Sequence, residues 1–469
     1  MTTTEEIATL EAFARLEESL ERLVPKARRR AHRLRKPVLA CASTVLDIAG
    51  SPQRLLWLAT RNPEWASLAG AEANLIAWGS AGRLRDNADL AVVDQDWSEL
   101  VAGAVRDELS VQTANPFVVF GHSFADECDS MGPWRNFGRS RTSIPQISVR
   151  AIDGTLVATA SAIVGTPVLP REPSIDGPDT SRQPRPSWAD AEGAYVSTLG
   201  QAIEHLKQGD LEKVVLTRVV QARTTGIEPV AILSRLDNLY PETCRFAVAL
   251  EETTFLGATP ELLCSVRGRL ARTMALAGSV PADVGDELVM SDPKLRREHS
   301  IVADHIEQTL GMRCDSVRRD QRPRVVSLRN IRHLRTDVSA HLPVHASVLS
   351  VAEWLHPTPA IGGHPLPAAR ALIAELENFD RGWYTGPIGW ADAAGDGDCW
   401  VALRCALLTG DTATMFAGGG IVSDSDPLVE LAETNWKLSV MREALGLLPP
   451  DRGSTRPKSA AKTGAGRNH

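Results

Sequence analysis

The sequence predicts an α/β protein of the mixed, α+β kind, and three observations carry that expectation. Short β-like runs bounded by turn residues fill positions 37 to 168, and strand-like and helix-like patterns alternate from 187 onward. Hydrophobic residues make up 43% of the 469 and charged residues 23%, ordinary globular usage that excludes global disorder. Such a length amounts to roughly three average domains. The longest apolar runs are short and broken, as at Phe117-Val118-Val119-Phe120, so no membrane span is expected. With 51 Lys and Arg against 58 Asp and Glu, the net charge of −7 argues against a nucleic-acid partner held by bulk positive charge. The seven cysteines are scattered and form no CxxC pair, which speaks against a zinc or disulfide framework and for a reducing compartment. The start, Met1 to Glu6, is polar and acidic, unlike a secretory or transit peptide, so a cytoplasmic protein is expected.

The elements follow in order. Residues 1–36 are read as one amphipathic helix, with Ile7, Leu10, Phe13, Leu20 and Leu23 at near-helical spacing and Pro25 placed to end or kink it. Its acids come first and its basic residues, Lys26 to Lys36, come last, an order that suits the helix dipole and a solvated helix end. Strands are expected at Pro37–Val45, Ala91–Val93, Phe117–Gly121, Gln146–Ile152 and Leu156–Ile163, with Asp153-Gly154 as a hairpin turn. Five prolines between 169 and 187 mark an exposed connector. Ser187 can cap a helix whose apolar face is Val196, Leu199, Ile203 and Leu206, stopped by Gly209. Further strands are expected at Lys213–Gln221, Arg245–Leu250, Thr254–Gly257, Leu262–Arg267, Val325–Ile331 and Val401–Leu408, with a helix over 294–312. Asp426 can cap a helix with Pro427 at its first position. Residues 37–450 are expected to form one unit, and 451–469, basic and almost without apolar residues, a disordered tail.

Three patterns raise chemical questions. Glu430 and Glu433 fall one turn apart on one helix face, where spacing alone suggests a solvated face paired with Lys437. Glu298 and His305 lie about 10 Å apart along a helix, too far to share a zinc ion, and HExxH is absent. Gly418-Gly419-Gly420 lacks the spacing of a dinucleotide fingerprint, and its ordinary reading is a tight turn.

Eight local motifs occur together in the second half. They run from Lys213-Val214-Val215-Leu216-Thr217-Arg218 and Gly257-Ala258-Thr259-Pro260-Glu261-Leu262 through Ala275-Leu276-Ala277-Gly278-Ser279 and Arg297-Glu298-His299. His356-Pro357-Thr358-Pro359-Ala360-Ile361-Gly362-Gly363 and Phe379-Asp380-Arg381-Gly382-Trp383-Tyr384-Thr385-Gly386-Pro387 follow, then Gly418-Gly419-Gly420-Ile421 and Glu430-Leu431-Ala432-Glu433-Thr434. In this order they resemble the chorismate-utilising enzyme family, most closely its isochorismate synthases, over about residues 190–445. The resemblance implies two antiparallel sheets packed face to face with helices outside and the active site in a cleft. It implies Lys213 as the base that activates water for attack at C2, and Glu261 as the acid that protonates the departing C4 hydroxyl. Mg²⁺ would be held by Glu298 and Glu433, with Glu430 beside them, in keeping with its taste for hard oxygen ligands. Substrate contacts would come from Gly278, Ser279, His333, Ala360, Ile361, Tyr384, Arg404, Gly418 and Lys437, Arg404 gripping a carboxylate through its fork.

The same resemblance separates branches of the family. Ammonia-using relatives lack the lysine at 213, so water is the expected nucleophile and no glutaminase partner is expected. Ala277 stands where some relatives place a nucleophilic lysine, which closes a covalent route. Salicylate-forming relatives tend to carry Thr-Ala where Ala360-Ile361 stands, which favours isochorismate formation. A salicylate synthase and a non-catalytic chorismate-binding subunit stay open as alternatives. Leu295 replaces an aspartate common in relatives, leaving Glu298 as the one carboxylate on that turn.

Overall fold

The computed structural model describes residues 3–48, 50–71, 73–107, 115–126, 132–165, 188–224 and 226–447. The expected connector at 169–187 and tail at 451–469 lie outside these. Helix α1 (Thr3–Leu34) runs straight through Pro25. Leu16 and, on either side of the proline, Leu23, Ala27 and Ala31 are buried, and the helix packs on the first and seventh strands. That packing outweighs the ~3 kcal/mol a helical proline costs. Ile7 and Leu10, expected on the apolar face, are instead exposed.

The first half continues with β1 (Val38–Leu46), α2 (Leu56–Ala59), β2 (Glu64–Ala69), β3 (Asn74–Arg83), α3 (Leu90–Ala102) and β4 (Val105–Arg106). It ends with β5 (Phe117–His122), β6 (Ser140–Ile152) and β7 (Thr155–Val164). The second half begins with α4 (Trp188–Lys207), β8 (Lys213–Arg223), α5 (Pro229–Leu239), β9 (Cys244–Leu250), β10 (Thr253–Thr259) and β11 (Leu262–Arg267). There follow β12 (Leu270–Pro281), α6 (Asp286–Ser291), α7 (Pro293–Gly311), β13 (Ser316–Arg319), β14 (Arg324–Ser327), β15 (Ile331–His341) and α8 (Val348–Leu355). The last are β16 (Gly363–His364), α9 (Leu366–Leu376), β17 (Pro387–Asp392), β18 (Gly397–Val401), β19 (Cys405–Thr409), β20 (Thr412–Ile421) and α10 (Pro427–Ala444).

Hydrogen bonding joins these strands into one network with two arms that part at β6, where Ser143 pairs with both Arg83 and Val119. One arm runs β1–β7–β6–β3–β2–β9–β10–β19–β20–β8–β16; the other runs β6–β5–β17–β18–β11–β12–β15, with β13 and β14 on β15. Among the described residues every pairing is antiparallel except the short β1–β4 contact. The arms pack face to face over Phe117, Phe246, Phe255, Trp390, Trp400 and Phe416, as alternating strand residues dictate. Helices α1, α5 and α10 cover the outside of the first arm, and α3, α7 and α8 the outside of the second. The expected two-sheet architecture is therefore present. Among the described residues no helix is long and apolar enough to cross a membrane.

Three local expectations change. Ala91–Val93 belongs to α3, whose buried Leu90, Val93, Trp97 and Leu100 repeat at helical spacing that a three-residue window cannot reveal. Val325–Ile331 breaks into β14 and β15 at a turn closed by Leu328 N–H to Ile331 O, so the chain doubles back on itself. Val401–Leu408 breaks at Arg404, whose φ of 50° interrupts the ladder between β18 and β19. The Asp153-Gly154 hairpin between β6 and β7 forms as expected, both residues at positive φ.

Candidate active site

Two Asp-Pro caps set the phase of the helices that carry acids. Asp292 accepts from Lys294 N and Leu295 N, with Pro293 in the first turn of α7, and Asp426 accepts from Leu428 N and Val429 N ahead of α10. These fixed starts aim Glu298 from α7, and Glu430 and Glu433 from α10, toward strand β20.

The triple glycine is in that strand and not in a turn. A Cβ on Gly420 would sit 2.5 Å from Glu298 Oε1 and 2.7 Å from Lys213 Cε, and one on Gly418 would sit 3.3 Å from the Tyr384 hydroxyl. The glycines therefore leave room for functional side chains to lie flat on the sheet. Over Gly420, Lys213 Nζ pairs with Glu298 Oε1 at 3.0 Å, the lysine side chain 1% exposed and the glutamate 15%.

A β-bulge does similar work on β12. Gly278, at φ 75°, shifts the register with β15 between Ala277 and Ser279 and packs against the backbone of Leu295, one turn before Glu298. Beyond the bulge Ser279 faces His333, with Ser279 Oγ 3.2 Å from Nδ1, and Arg404 Nη2 approaches His333 Nε2 at 3.5 Å. Burial first, then the charges of Arg404 and Lys437, hold the His333 imidazole neutral, well below its ordinary range. The neutral ring can thus accept from Arg404. The positive φ at Arg404 is a backbone conformation that non-glycine residues seldom adopt, and the kink turns its side chain into the cavity.

One cleft of about 580 Å³, counting the part open to solvent, gathers most of the expected residues. Glu261, Gly278, Ser279, Glu298, His333, Ala360, Ile361, Tyr384, Arg404, Gly418 and Lys437 all line it. Glu261 is buried just before β11, and burial raises its carboxyl to about 7 although Lys213, Arg404 and Lys437 pull it down. Lys213 lies at the edge through its pairing with Glu298. Glu433 and Glu430 stand behind the lining. Glu433 Oε1 meets Lys437 Nζ at 2.5 Å, a pair that spacing had put in solvent but that is only 15% and 12% exposed. Lys437 also donates to Gly418 O at 2.8 Å.

Sequence reasoning missed Lys294. It lies one turn before Glu298 on α7, and its Nζ meets the buried Glu430 Oε1 at 3.0 Å. Burial lowers this amine, but Glu430, with Glu298 and Glu433 beyond it, outweighs that and raises it above its ordinary value. The i, i+4 relation to Glu298 was the available signal. Val215, Leu276, Thr385 and Leu403 also line the cleft without having been singled out.

The acids fit a hard dication. Burial and the neighbouring Glu433 push the Glu430 carboxyl up even though Lys294 pairs with Glu430 and Lys437 with Glu433, and the oxygen donors of the two acids suit Mg²⁺. Among the described residues no three acid, histidine or cysteine side chains close a metal cage by themselves. A dication here would need further oxygen ligands from water or substrate. His305, the discounted zinc partner, is a half-buried histidine whose pKa burial lowers.

A double sheet with a cleft that combines buried acids, paired lysines and a buried arginine suits a small anionic ligand. The profile of the family described as chorismate binding enzyme matches residues 56–446, and the chain belongs to that family. It is 32% identical over 459 residues to the salicylate biosynthesis isochorismate synthase of Pseudomonas aeruginosa, covering 89% of this chain and 92% of the relative. It is 32% identical over 368 residues to isochorismate synthase MenF of Bacillus subtilis, covering 73% and 77%. The solved structure of MenF, the menaquinone-specific isochorismate synthase of Escherichia coli, has the same fold, with a TM-score of 0.70 at 22% identity over 90% of this chain and 99% of that one. Within its family the chain is most like the isochorismate synthases.

Proposed function

We propose that this protein is an isochorismate synthase, converting chorismate to isochorismate by adding water at C2 as the C4 hydroxyl leaves. The observation that carries the reading is one cleft lined by the buried carboxyl of Glu261, poised at about 7, and by Glu298, which pairs with the buried Lys213. Lys213 takes a proton from the attacking water, and Glu261, protonated below about pH 7, gives one to the departing hydroxyl, so the elements of water enter and leave in equal number. Arg404 and Lys437 bind substrate carboxylate, with Gly278, Ser279, His333, Tyr384 and Gly418 shaping the seat. Ala360 and Ile361 line the cleft beside the ring, and Ile361 is nearly fully buried.

Mg²⁺ belongs to the same proposal, with Glu298 and Glu433 as its holders and Glu430 behind them. When bound, it supplies positive charge that neutralises and orients a substrate carboxylate. Lys213 is paired to Glu298, so freeing its amine for proton transfer requires that carboxylate to find another partner.

The test is to incubate the purified protein with chorismate and Mg²⁺ and separate the products. Isochorismate as the main product supports the reading. Salicylate with equimolar pyruvate makes the protein a lyase, and binding without turnover makes it a chorismate-binding subunit; either result overturns the proposal.

A further inference from the structure

Arg381 is 3% exposed in the loop between α9 and β17. Its Nε and Nη2 donate to both oxygens of Glu377, at 2.7 and 2.6 Å, and the two side chains are 2% and 3% exposed. The remaining donors go to two separate segments: Nη2 to Val215 O at 2.7 Å, and Nη1 to Ile361 O at 3.1 Å. Glu377 answers by accepting the Thr217 N–H at 2.7 Å. The Arg381 carbonyl accepts from Tyr384 N at 3.0 Å, and the guanidinium lies over the Phe124 ring, 4.3 Å from its centroid.

Val215, Ile361 and Tyr384 all line the cleft. Val215 is two residues along β8 from Lys213, hence on the same face. The planar fork of arginine bonds two carbonyls and a carboxylate at fixed angles, which a lysine cannot reproduce. A buried ion pair is a poor way to gain stability alone, since apolar residues of similar volume often do as well. The donors of this one converge on the walls of the cleft.

We propose that Arg381 is a positioning residue that sets product specificity by locking Ile361 against the strand that carries Lys213. The inference rests on the proposed isochorismate synthase reading. Isochorismate can go on to salicylate and pyruvate when its C2 hydrogen moves to the enolpyruvyl methylene carbon as the C3–O bond breaks, with no co-reactant. That step needs the enolpyruvyl arm to fold over the ring, into the space Ile361 borders. With Arg381 intact the wall holds; with the fork lost it yields.

The experiment measures isochorismate, salicylate and pyruvate from chorismate for wild type, Arg381→Lys and the neutral double variant Glu377→Gln with Arg381→Met, alongside melting temperature. Absence of isochorismate from the wild type would sink the functional reading itself, before any variant is compared. Given wild-type isochorismate, Arg381→Lys should keep chorismate KM within about threefold, lower kcat, and raise the pyruvate fraction at least tenfold, which is about 1.4 kcal/mol in the partition. The double variant, which removes the buried charges together, should shift the partition the same way. A folded Arg381→Lys protein with wild-type kcat and partition overturns the proposal. So does failure of both variants to fold, which would make the pair a structural element.

Discussion

Replacing Glu261 by Gln should alter stability and turnover with different pH signatures. Glu261 is 6% exposed and its carboxyl lies at about 7, against an ordinary 4.5. The difference corresponds to about 3 kcal/mol of added cost for the charged form in the folded protein. Because the folded value is the higher one, the folded state holds this proton more tightly than the unfolded chain does. The contribution is fully present below pH 4.5 and is lost as pH rises through about 7. Glutamine does not titrate, so the stability of Glu261→Gln relative to wild type should grow by about 3 kcal/mol across that window and then level off. Urea unfolding of both proteins at pH 4.5, 6 and 8 measures it. A difference that stays flat over this range refutes the claim that burial governs this carboxyl.

The turnover arm is independent. A lost general acid typically costs 10²- to 10⁴-fold in rate, so kcat of Glu261→Gln should fall into that range while chorismate still binds. Wild-type kcat should decline about tenfold per pH unit above about 7, as the protonated fraction of Glu261 does. A pH-dependent stability gain with unchanged kcat would leave Glu261 a buried acid and remove it from the reaction.

Other perturbations separate the remaining roles. Lys213→Ala should abolish water addition, read as product by chromatography, with the Kd for chorismate changed less than about tenfold; loss of binding in step with turnover would make the lysine a positioning residue. Chelation of divalent ions should stop turnover and Mg²⁺ restore it, while Glu433→Gln and Glu298→Gln should raise the Mg²⁺ needed for half-maximal rate at least tenfold; turnover undiminished in chelator refutes the metal assignment. Ala360→Thr with Ile361→Ala should release pyruvate together with salicylate, and a double variant that makes only isochorismate at wild-type rate reduces Ile361 to mere lining.

What the sequence made legible depended on the range of the interactions. Asp426-Pro427 and Asp153-Gly154 act within a few residues, so a helix start and a hairpin could be read directly. Lys213 and Glu261 could be singled out through the motifs around them, but their burial could not, since it depends on strands far along the chain. Val401–Leu408 is apolar and β-like and so reads as one strand through Arg404; no local pattern in it signals the positive φ at that residue. The Gly418-Gly419-Gly420 run was open to a turn reading for the same reason. Its cause is the side chains of Glu298, Lys213 and Tyr384, which arrive from other elements. Arg381 lies inside the Phe379–Pro387 motif, yet that motif gives no sign of its role, because its partners at 215 and 361 are 166 and 20 residues away.

The charges around the cleft make one further point about its ligand. Four cationic side chains, Lys213, Lys294, Lys437 and Arg404, stand against four acids, Glu261, Glu298, Glu430 and Glu433. A formal count with every lysine protonated gives zero, and the high carboxyl of Glu261 tips it positive below about pH 7, a charge given up in the state where Lys213 acts as base. The chain as a whole is negative at −7. An anionic ligand is therefore repelled by the protein at large and favoured at this cleft, where low dielectric walls concentrate the field. A bound dication would deepen that local well, which is what a substrate with two carboxylates requires. In the proposed reaction the neutral Glu261 would serve two ends together: it would hold the proton the leaving hydroxyl needs, and keep a fourth negative charge away from the ligand.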